Sequence, residues 1–263
     1  MKQTNKKEFL DWFVGFSEGD GSWQVDPNQK TRRSIFIINQ KDPQILYKIK
    51  SFIGFGQING PYKNKNGSIY YRYRVGNIKG TERLIEIFNG NLVLTKTEKR
   101  FKGYLDMYNS RVTVSKEIKF KPSSRVVRLT DGWLSGFIDA EGSFSGTTMK
   151  YTGTDEIRGV KVRFSLVQKF EKEVFKNLKS LLGGSLSSGE GDIFRLLIES
   201  KKGRNDIISY LEKFPLRSSK TIAFTRFKKL HVRLTDGDFK WRLSSPRAKE
   251  RIITLVKNIN KDI

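Results

Sequence analysis

The chain has 263 residues with 51 Lys+Arg against 27 Asp+Glu, a formal charge of +24, one histidine and no cysteine. Without cysteine there is no disulfide framework, zinc finger, iron–sulfur cluster or thiol nucleophile, and a lone His231 excludes a multi-histidine metal site, so any metal is held by oxygen. A hydrophobic content of 37% with 19 Phe, 9 Tyr and 4 Trp is too rich in core-forming side chains for a disordered basic tail, and positive charge dispersed along a folded chain points to a long polyanion, nucleic acid before a membrane surface.

From the N-terminus, a basic start runs into an apolar stretch that Asp11 interrupts, with no small-residue cleavage site, so no secretory peptide is expected; no run of 18 apolar residues predicts a membrane span. Phe13-Val-Gly-Phe-Ser-Glu-Gly-Asp-Gly21 then reads as a helix with Gly15 and Gly19 one turn apart. A strand pair over 22–30 and 32–40 carries Ser22, Gln24, Asp26, Asn28, Lys30, Arg32 and Arg33, and ends on Gln40-Lys41. An amphipathic helix over 45–54 closes on Gly54. In the next strand pair, near 69–75, Arg72 and Arg74 alternate with Tyr71, Tyr73 and Val75, the period of a sheet with one polar face. A helix over 82–88 and the element Leu92-Val-Leu-Thr-Lys96-Thr97, leading into a third helix, complete the half. Residues 109–130 are polar and basic, contain Pro122-Ser-Ser and lack a helical period, which predicts a linker.

The same order then recurs. Leu134-Ser-Gly-Phe-Ile-Asp-Ala-Glu-Gly142 places Gly136 and Ala140 one turn apart, and Gly142 lies 121 positions after Gly21. Ser143 and Ser145 follow; Lys161, Arg163 and Ser165 alternate with Val162, Phe164 and Leu166 in a strand ending on Gln168-Lys169. A helix over 174–183, a strand pair near 193–198 containing Arg195, a helix over 206–214 and Leu216-Arg-Ser-Ser-Lys220-Thr221 repeat the first half, so each half reads as an α-β-β-α-β-β-α unit. A further helix over 246–259 has no counterpart and reads as packing. The organisation is therefore a first repeat 1–108, the linker 109–130 and a second repeat 131–263 with its C-terminal helix.

Small residues one turn apart let two helix backbones approach closely, so the duplicated pairs predict that the two helices pack on each other; singly, each pair is equally ordinary helix packing. Asp20 and Glu141 close the helices, just before glycines suited to a C-terminal cap. A carboxylate at the negative end of a helix dipole costs a few tenths to about 1 kcal/mol. Repeated at equivalent positions, it asks for a cation, although a solvated acid would also satisfy each position alone. With the carbonyls of Gly19 and Ala140 beside them, the two acids form a hard-oxygen set suited to Mg²⁺. Glu18 and Asp139, two residues earlier, project elsewhere and read as backbone hydrogen-bonding groups.

On these residues, Phe13 to Gly21 and Leu134 to Gly142, the sequence resembles the single-chain, two-repeat LAGLIDADG homing endonucleases. Ser17, Glu18 and Gly19 stand where Ile, Asp and Ala are commoner, which keeps the small residue and both acids. The resemblance implies an α+β fold, a pseudo-two-fold pair of αββαββα repeats whose concave antiparallel sheets lie along DNA. It assigns metal binding to Asp20 and Glu141, with Mg²⁺ as the metal and Mn²⁺ or Ca²⁺ able to occupy the same site. It puts Lys96 and Lys220 at the pocket edge and water-ordering roles on Gln40 and Gln168. By strand parity Gln168 is expected to need a bulge to reach the groove. The polar strand residues, Ser143, Ser145 and Arg195 included, are the expected DNA contacts. A strand of about ten residues spans about 33 Å, or about ten base pairs, so two halves cover roughly twenty, with no requirement for a palindrome. The implied activity is divalent-metal-dependent hydrolysis of one phosphodiester in each DNA strand by a monomer. An intron RNA maturase and a non-catalytic DNA-binding regulator are the alternatives on the same fold, and an organellar, mitochondrial setting follows from the resemblance.

Overall fold

In the computed structural model the first motif folds as α1 (Lys2–Asp20), which runs directly into β1 (Gly21–Val25). The described residues are 2–26, 33–235, 241 and 244–261, so Asn28, Lys30 and Arg32 lie outside them. After β2 (Ser34–Gln40), Asp42 accepts a hydrogen bond from the Gln44 N–H, and Pro43 supplies a preset φ at the first helical position. Together they start α2 (Pro43–Ile53), which ends at left-handed Gly54, φ 85°. β3 (Gln57–Lys63) and β4 (Ile69–Val75) complete an antiparallel sheet of order β1-β2-β4-β3. α3 (Ile78–Phe88), capped by Asn77, and α4 (Thr95–Asn109) follow.

Even-numbered residues of β2 and odd-numbered residues of β1 and β4 form the core side of this sheet: Trp23, Phe36, Ile38, Tyr73 and Val75 are all buried. The helices meet that side through aromatic rings. Phe36 and Trp23 lie 5.5 and 5.2 Å from Phe88, whose ring is 6.3 Å from Phe101 on α4. Among the described residues β1 has five residues and β2 seven; the remainder of the expected ribbon, 27–32, lies outside the described residues. Within 109–130 the chain makes one 3-10 turn, Val114–Lys116, and then enters α5 (Trp133–Glu141).

The chain divides into two compact units, Met1–Ala140 and Glu141–Ile263, so all of α5 but its last residue belongs to the first. In the second unit β5 (Gly142–Lys150) and β6 (Ile157–Lys169) form the corresponding ribbon. They are followed by α6 (Lys172–Leu182), β7 (Ser185–Gly189), β8 (Ile193–Ile198), α7 (Lys201–Lys213), α8 (Lys220–Thr235) and α9 (Pro246–Asn258). The strand order β5-β6-β8-β7 reproduces that of the first unit. Phe144, Phe164, Leu196 and Ile198 face the helices and are buried. The expected α+β architecture, a four-stranded antiparallel sheet with flanking helices in each half, is therefore observed. Among the described residues no helix is long and apolar enough to cross a membrane.

Candidate functional site

The two motif helices meet at the predicted glycines. A Cβ on Gly15 would overlap the Trp133 carbonyl oxygen and lie 2.9 Å from the Phe137 nitrogen; one on Gly136 would overlap the Trp12 carbonyl oxygen and lie 2.7 Å from the Phe16 nitrogen. The backbones are in contact, and only glycine fits at either position. Gly19 and Ala140 occupy the last turns of α1 and α5, half-buried.

Glu18 and Asp139 lock this crossing reciprocally. The Trp133 indole N–H donates to Glu18 at 2.6 Å, and the Trp12 indole N–H donates to Asp139 at 2.8 Å. Glu18 also accepts from the backbone N–H groups of Leu94 (2.7 Å) and Val93 (3.0 Å). Those amides immediately precede α4, whose N-cap residue Leu94 offers no side-chain cap. The backbone role expected for Glu18 is thus present, with an indole added. Burial pushes its carboxyl up to about 8, opposed by the Leu94 and Val93 amides, the Trp133 indole and Arg125. One buried acid therefore ties the helix that ends in Asp20 to the start of α4, whose first turn carries Lys96.

Asp20 is exposed at the end of α1, and its Oδ2 accepts a 2.7 Å hydrogen bond from Gln40 Nε2. In the second unit Glu141 Oε1 accepts from Gln168 Nε2 at 3.0 Å. The bulge expected for Gln168 is not needed. Gln168 pairs with Phe194 in unbroken register and shares the helix-facing parity of Phe164 and Leu166. It reaches Glu141 from behind the sheet, as Gln40, on the parity of Phe36 and Ile38, reaches Asp20. The cap expectation is also corrected: neither Gly21 nor Gly142 has a positive φ. At Gly21 the requirement is steric, because a Cβ would overlap the Ser17 carbonyl oxygen as the helix turns into β1. Lys96 lies in the first turn of α4 and Lys220 opens α8, both half-buried.

The opposite side of each sheet gathers the other predicted residues. Ser22 and Gln24 stand across from Ile37 and Ile35, Ile37 from Arg74, and Asn39 from Arg72. Asp26 and Arg33 extend the same ladder, joined by a 2.8 Å backbone hydrogen bond. The register adds Gln57 and Asn59 of β3, opposite Arg74 and Arg72, which sequence reasoning missed because β3 carries no alternating pattern of its own. In the second unit Ser143, Ser145, Lys161, Arg163, Ser165 and Arg195 share one face, where the register adds Thr147 and Ser187. Arg163 is held at Nε by Glu199 at 2.7 Å. Arg72 is held differently: its Nε donates to Asn39 Oδ1 at 3.0 Å, and its guanidinium lies 5.3 and 5.9 Å from the ring centres of Tyr62 and Tyr70. That hydrogen bond engages Nε and not the terminal nitrogens.

His231 takes no part in this constellation. It is 3% exposed; its Nδ1 accepts from Arg204 Nε at 3.0 Å, which puts the ring proton on Nε2, 2.6 Å from Asn205 Oδ1. Burial first, then Arg204 and Lys201, lower its pKa below 6.5. The stability linked to the neutral ring is complete above 6.5 and is lost as pH falls through the folded-state value. The urea midpoint is therefore expected to drop between pH 7 and 5, with a flatter profile for His231→Gln; an identical slope in that variant would assign the effect to other groups.

A protein-family model described as LAGLIDADG endonuclease matches residues 13–108 and 134–231. The chain is 31% identical over 255 residues to a Neurospora crassa protein named probable intron-encoded endonuclease 4, covering 95% of this chain and 44% of that protein. It is 27% identical over 246 residues to probable intron-encoded endonuclease aI3 of Dictyostelium citrinum, covering 86% and 97%. The chain thus spans less than half the length of the Neurospora relative. Its fold is similar to that of the meganuclease I-SmaMI, solved bound to uncleaveable DNA, with TM-score 0.73 over 97% of this chain and 99% of that one at 17% identity.

Proposed function

The chain belongs to the LAGLIDADG endonuclease family, and from that premise we propose that it is a monomeric, site-specific endonuclease that cuts both strands of a long, asymmetric DNA target. The observation that carries the reading is the duplicated carboxylate–glutamine pair, Asp20 with Gln40 and Glu141 with Gln168, each at the junction of a motif helix and a sheet with a cation-bearing face. Relatives named as intron-encoded support an origin in an intron, and an organellar compartment accords with that.

The donor set suits a hard divalent cation. Both acids offer carboxylate oxygen at solvent-accessible helix ends, and among the described residues no cluster of three or more His, Cys, Asp or Glu provides a closed cage. Mg²⁺ is bound in such settings by one or two carboxylates with water and substrate phosphate. When bound, Mg²⁺, with Mn²⁺ or Ca²⁺ as ions of like ligand preference, supplies Lewis-acid polarisation of the phosphoryl oxygens and lowers the pKa of water. Asp20 would hold it at the end of one motif helix and Glu141 at the end of the other, each with the carbonyl of the residue before it, Gly19 or Ala140, as a neighbouring oxygen donor. Gln40 and Gln168 orient the two carboxylates through their amide N–H groups. Lys96 and Lys220 stabilise the charge that builds on the phosphate. Water is the nucleophile, because the chain has no cysteine and His231 is buried and engaged on both ring nitrogens.

Incubating the protein with a DNA library and Mg²⁺ and sequencing the ends tests this. Double-strand breaks at one recurring sequence of roughly twenty base pairs are expected. No breaks on any DNA, together with improved splicing of an intron RNA, would sink the endonuclease in favour of a maturase. Arg72 reads a base through its terminal nitrogens, which the Asn39 bond at Nε leaves available to guanine O6 and N7. Arg72→Ala is expected to cost about 1–3 kcal/mol of discrimination at one target position, whereas Lys-to-Ala changes off the sheet face lower affinity uniformly. Equal loss on all sequences would remove Arg72 from the readers.

A further inference from the structure

Behind the second sheet lies a basic groove that the cleavage reaction does not use. α8 and α9 pack on the helix-facing side of β5: the Phe144 ring is 5.6 and 5.1 Å from those of Phe224 and Phe227, and a Cβ on Gly146 would touch Leu230, Val256 and Ile259 at 3.1–3.2 Å. Arg226 fixes the pair, donating at 2.6 Å to the carbonyls of Asn258 and Lys261. The outer faces of the two helices enclose a groove of about 1060 Å³, lined by Lys228, Lys229 and Arg233 from α8 and by Arg247, Arg251 and Glu250 from α9.

Five of its ten lining residues are Lys or Arg and one is acidic, against 51 Lys+Arg in 263 for the whole chain. Lys228 is paired with Glu212 of α7; among the described residues Lys229, Arg233, Arg247 and Arg251 form no ion pair. At a helical rise of 1.5 Å the cations span about 6 to 7.5 Å along each helix, which matches two successive nucleotides at 3.4 Å of duplex axis per strand. Ser143 and Ser145 point to the other side of β5 from Phe144 and Gly146, so a duplex lying along the sheet face cannot also occupy the groove.

We propose that this groove seats the phosphodiester backbone of a second duplex DNA segment while the sheet faces hold the first. The occupant follows from charge complementarity and from the polymer already assigned to the sheets, so the inference rests on that reading for its choice of DNA. Holding two segments gives the protein a route to pass from one stretch of DNA to another without dissociating.

The test is stoichiometric. A fluorescent 20-base-pair duplex of arbitrary sequence is titrated into the full chain at low salt, with sedimentation to count duplexes per chain. Two are expected for the native protein and one for Lys229→Glu/Arg247→Glu/Arg251→Glu, whose substituted positions are exposed and whose retained duplex binds within about twofold of its native affinity. The slope of log K against log salt for the groove site is expected near −3, as for three to four neutralised phosphates. Arg74→Glu/Lys161→Glu is expected to lose the other duplex and keep the groove. If instead that variant loses nothing while the groove variant loses all binding, the sheet reading fails and the groove survives. One duplex per native chain that the groove variant still binds, or two on the groove variant, overturns the proposal. A 20-base-pair RNA duplex that displaces groove-bound DNA with more than tenfold preference overturns the choice of DNA.

Discussion

Asp20→Asn and Glu141→Gln are each expected to lower double-strand cleavage by at least about 10²- to 10³-fold, the loss that follows removal of one electrostatic stabiliser of a transition state. Target affinity should be unchanged or higher, because each substitution removes a negative charge from a region that meets phosphates. Both replacements preserve shape and can still accept from Gln40 or Gln168 through the amide oxygen, so the folded structure is retained. Chelation of divalent cations should reproduce the loss in the native protein and add nothing further in the variants. Gln40→Ala and Gln168→Ala remove one hydrogen bond to each acid and should cost less, roughly 10- to 100-fold. Gel-shift affinity measured beside single-turnover cleavage separates these roles. Native cleavage rates in either acid variant would exclude that carboxylate from metal binding.

Gly136→Ala and Gly15→Ala are expected to destabilise the chain by about 3 kcal/mol or more, at or above the top of the usual overpacking range. The reason is the nature of the neighbour. A new methyl at either site strikes a main-chain carbonyl of the facing helix, and a backbone cannot rotate away as a side chain can. Separating the helices to admit it would also stretch the two indole–carboxylate bonds, Trp133 to Glu18 and Trp12 to Asp139. For a chain of this size the melting temperature should fall by about 6 to 12 °C. Gly103→Ala provides the opposite sign: Gly103 lies within α4 with no atom within 4 Å of the new methyl, so helix propensity alone should stabilise by about 0.5–1 kcal/mol. Calorimetry of the three variants decides the matter, and a Gly15→Ala melting temperature equal to that of Gly103→Ala would disprove close contact of the motif helices.

Most of the secondary structure is legible because it depends on local signals. The alternation of Arg72 and Arg74 with tyrosines marks β4, Asp42-Pro43 and Gly54 bracket α2, and the recurrence of one motif 121 residues on exposes the duplication. β3 and β7 were not legible as partners of the polar face. Gln57, Asn59 and Ser187 acquire that position only from pairing register, which is a relation between distant residues. The same holds for Gln168: parity along β6 correctly separates its two faces, but only the fold reveals that the helix-facing one leads to Glu141.

The sequence by itself determined the chemistry available to this protein: residue types alone exclude thiol and multi-histidine sites, and +24 of dispersed charge with a twice-repeated acid selects a polyanion and an oxygen-ligated cation. Tertiary structure alone decided which repeated acids are buried and which are accessible. Glu18 is 2% exposed and bonded to an indole and two amides, while Asp20, two residues on, is exposed and accepts from Gln40. Adjacent positions on a helix differ by direction, and whether a direction meets a facing backbone or solvent depends on what another part of the chain brings there.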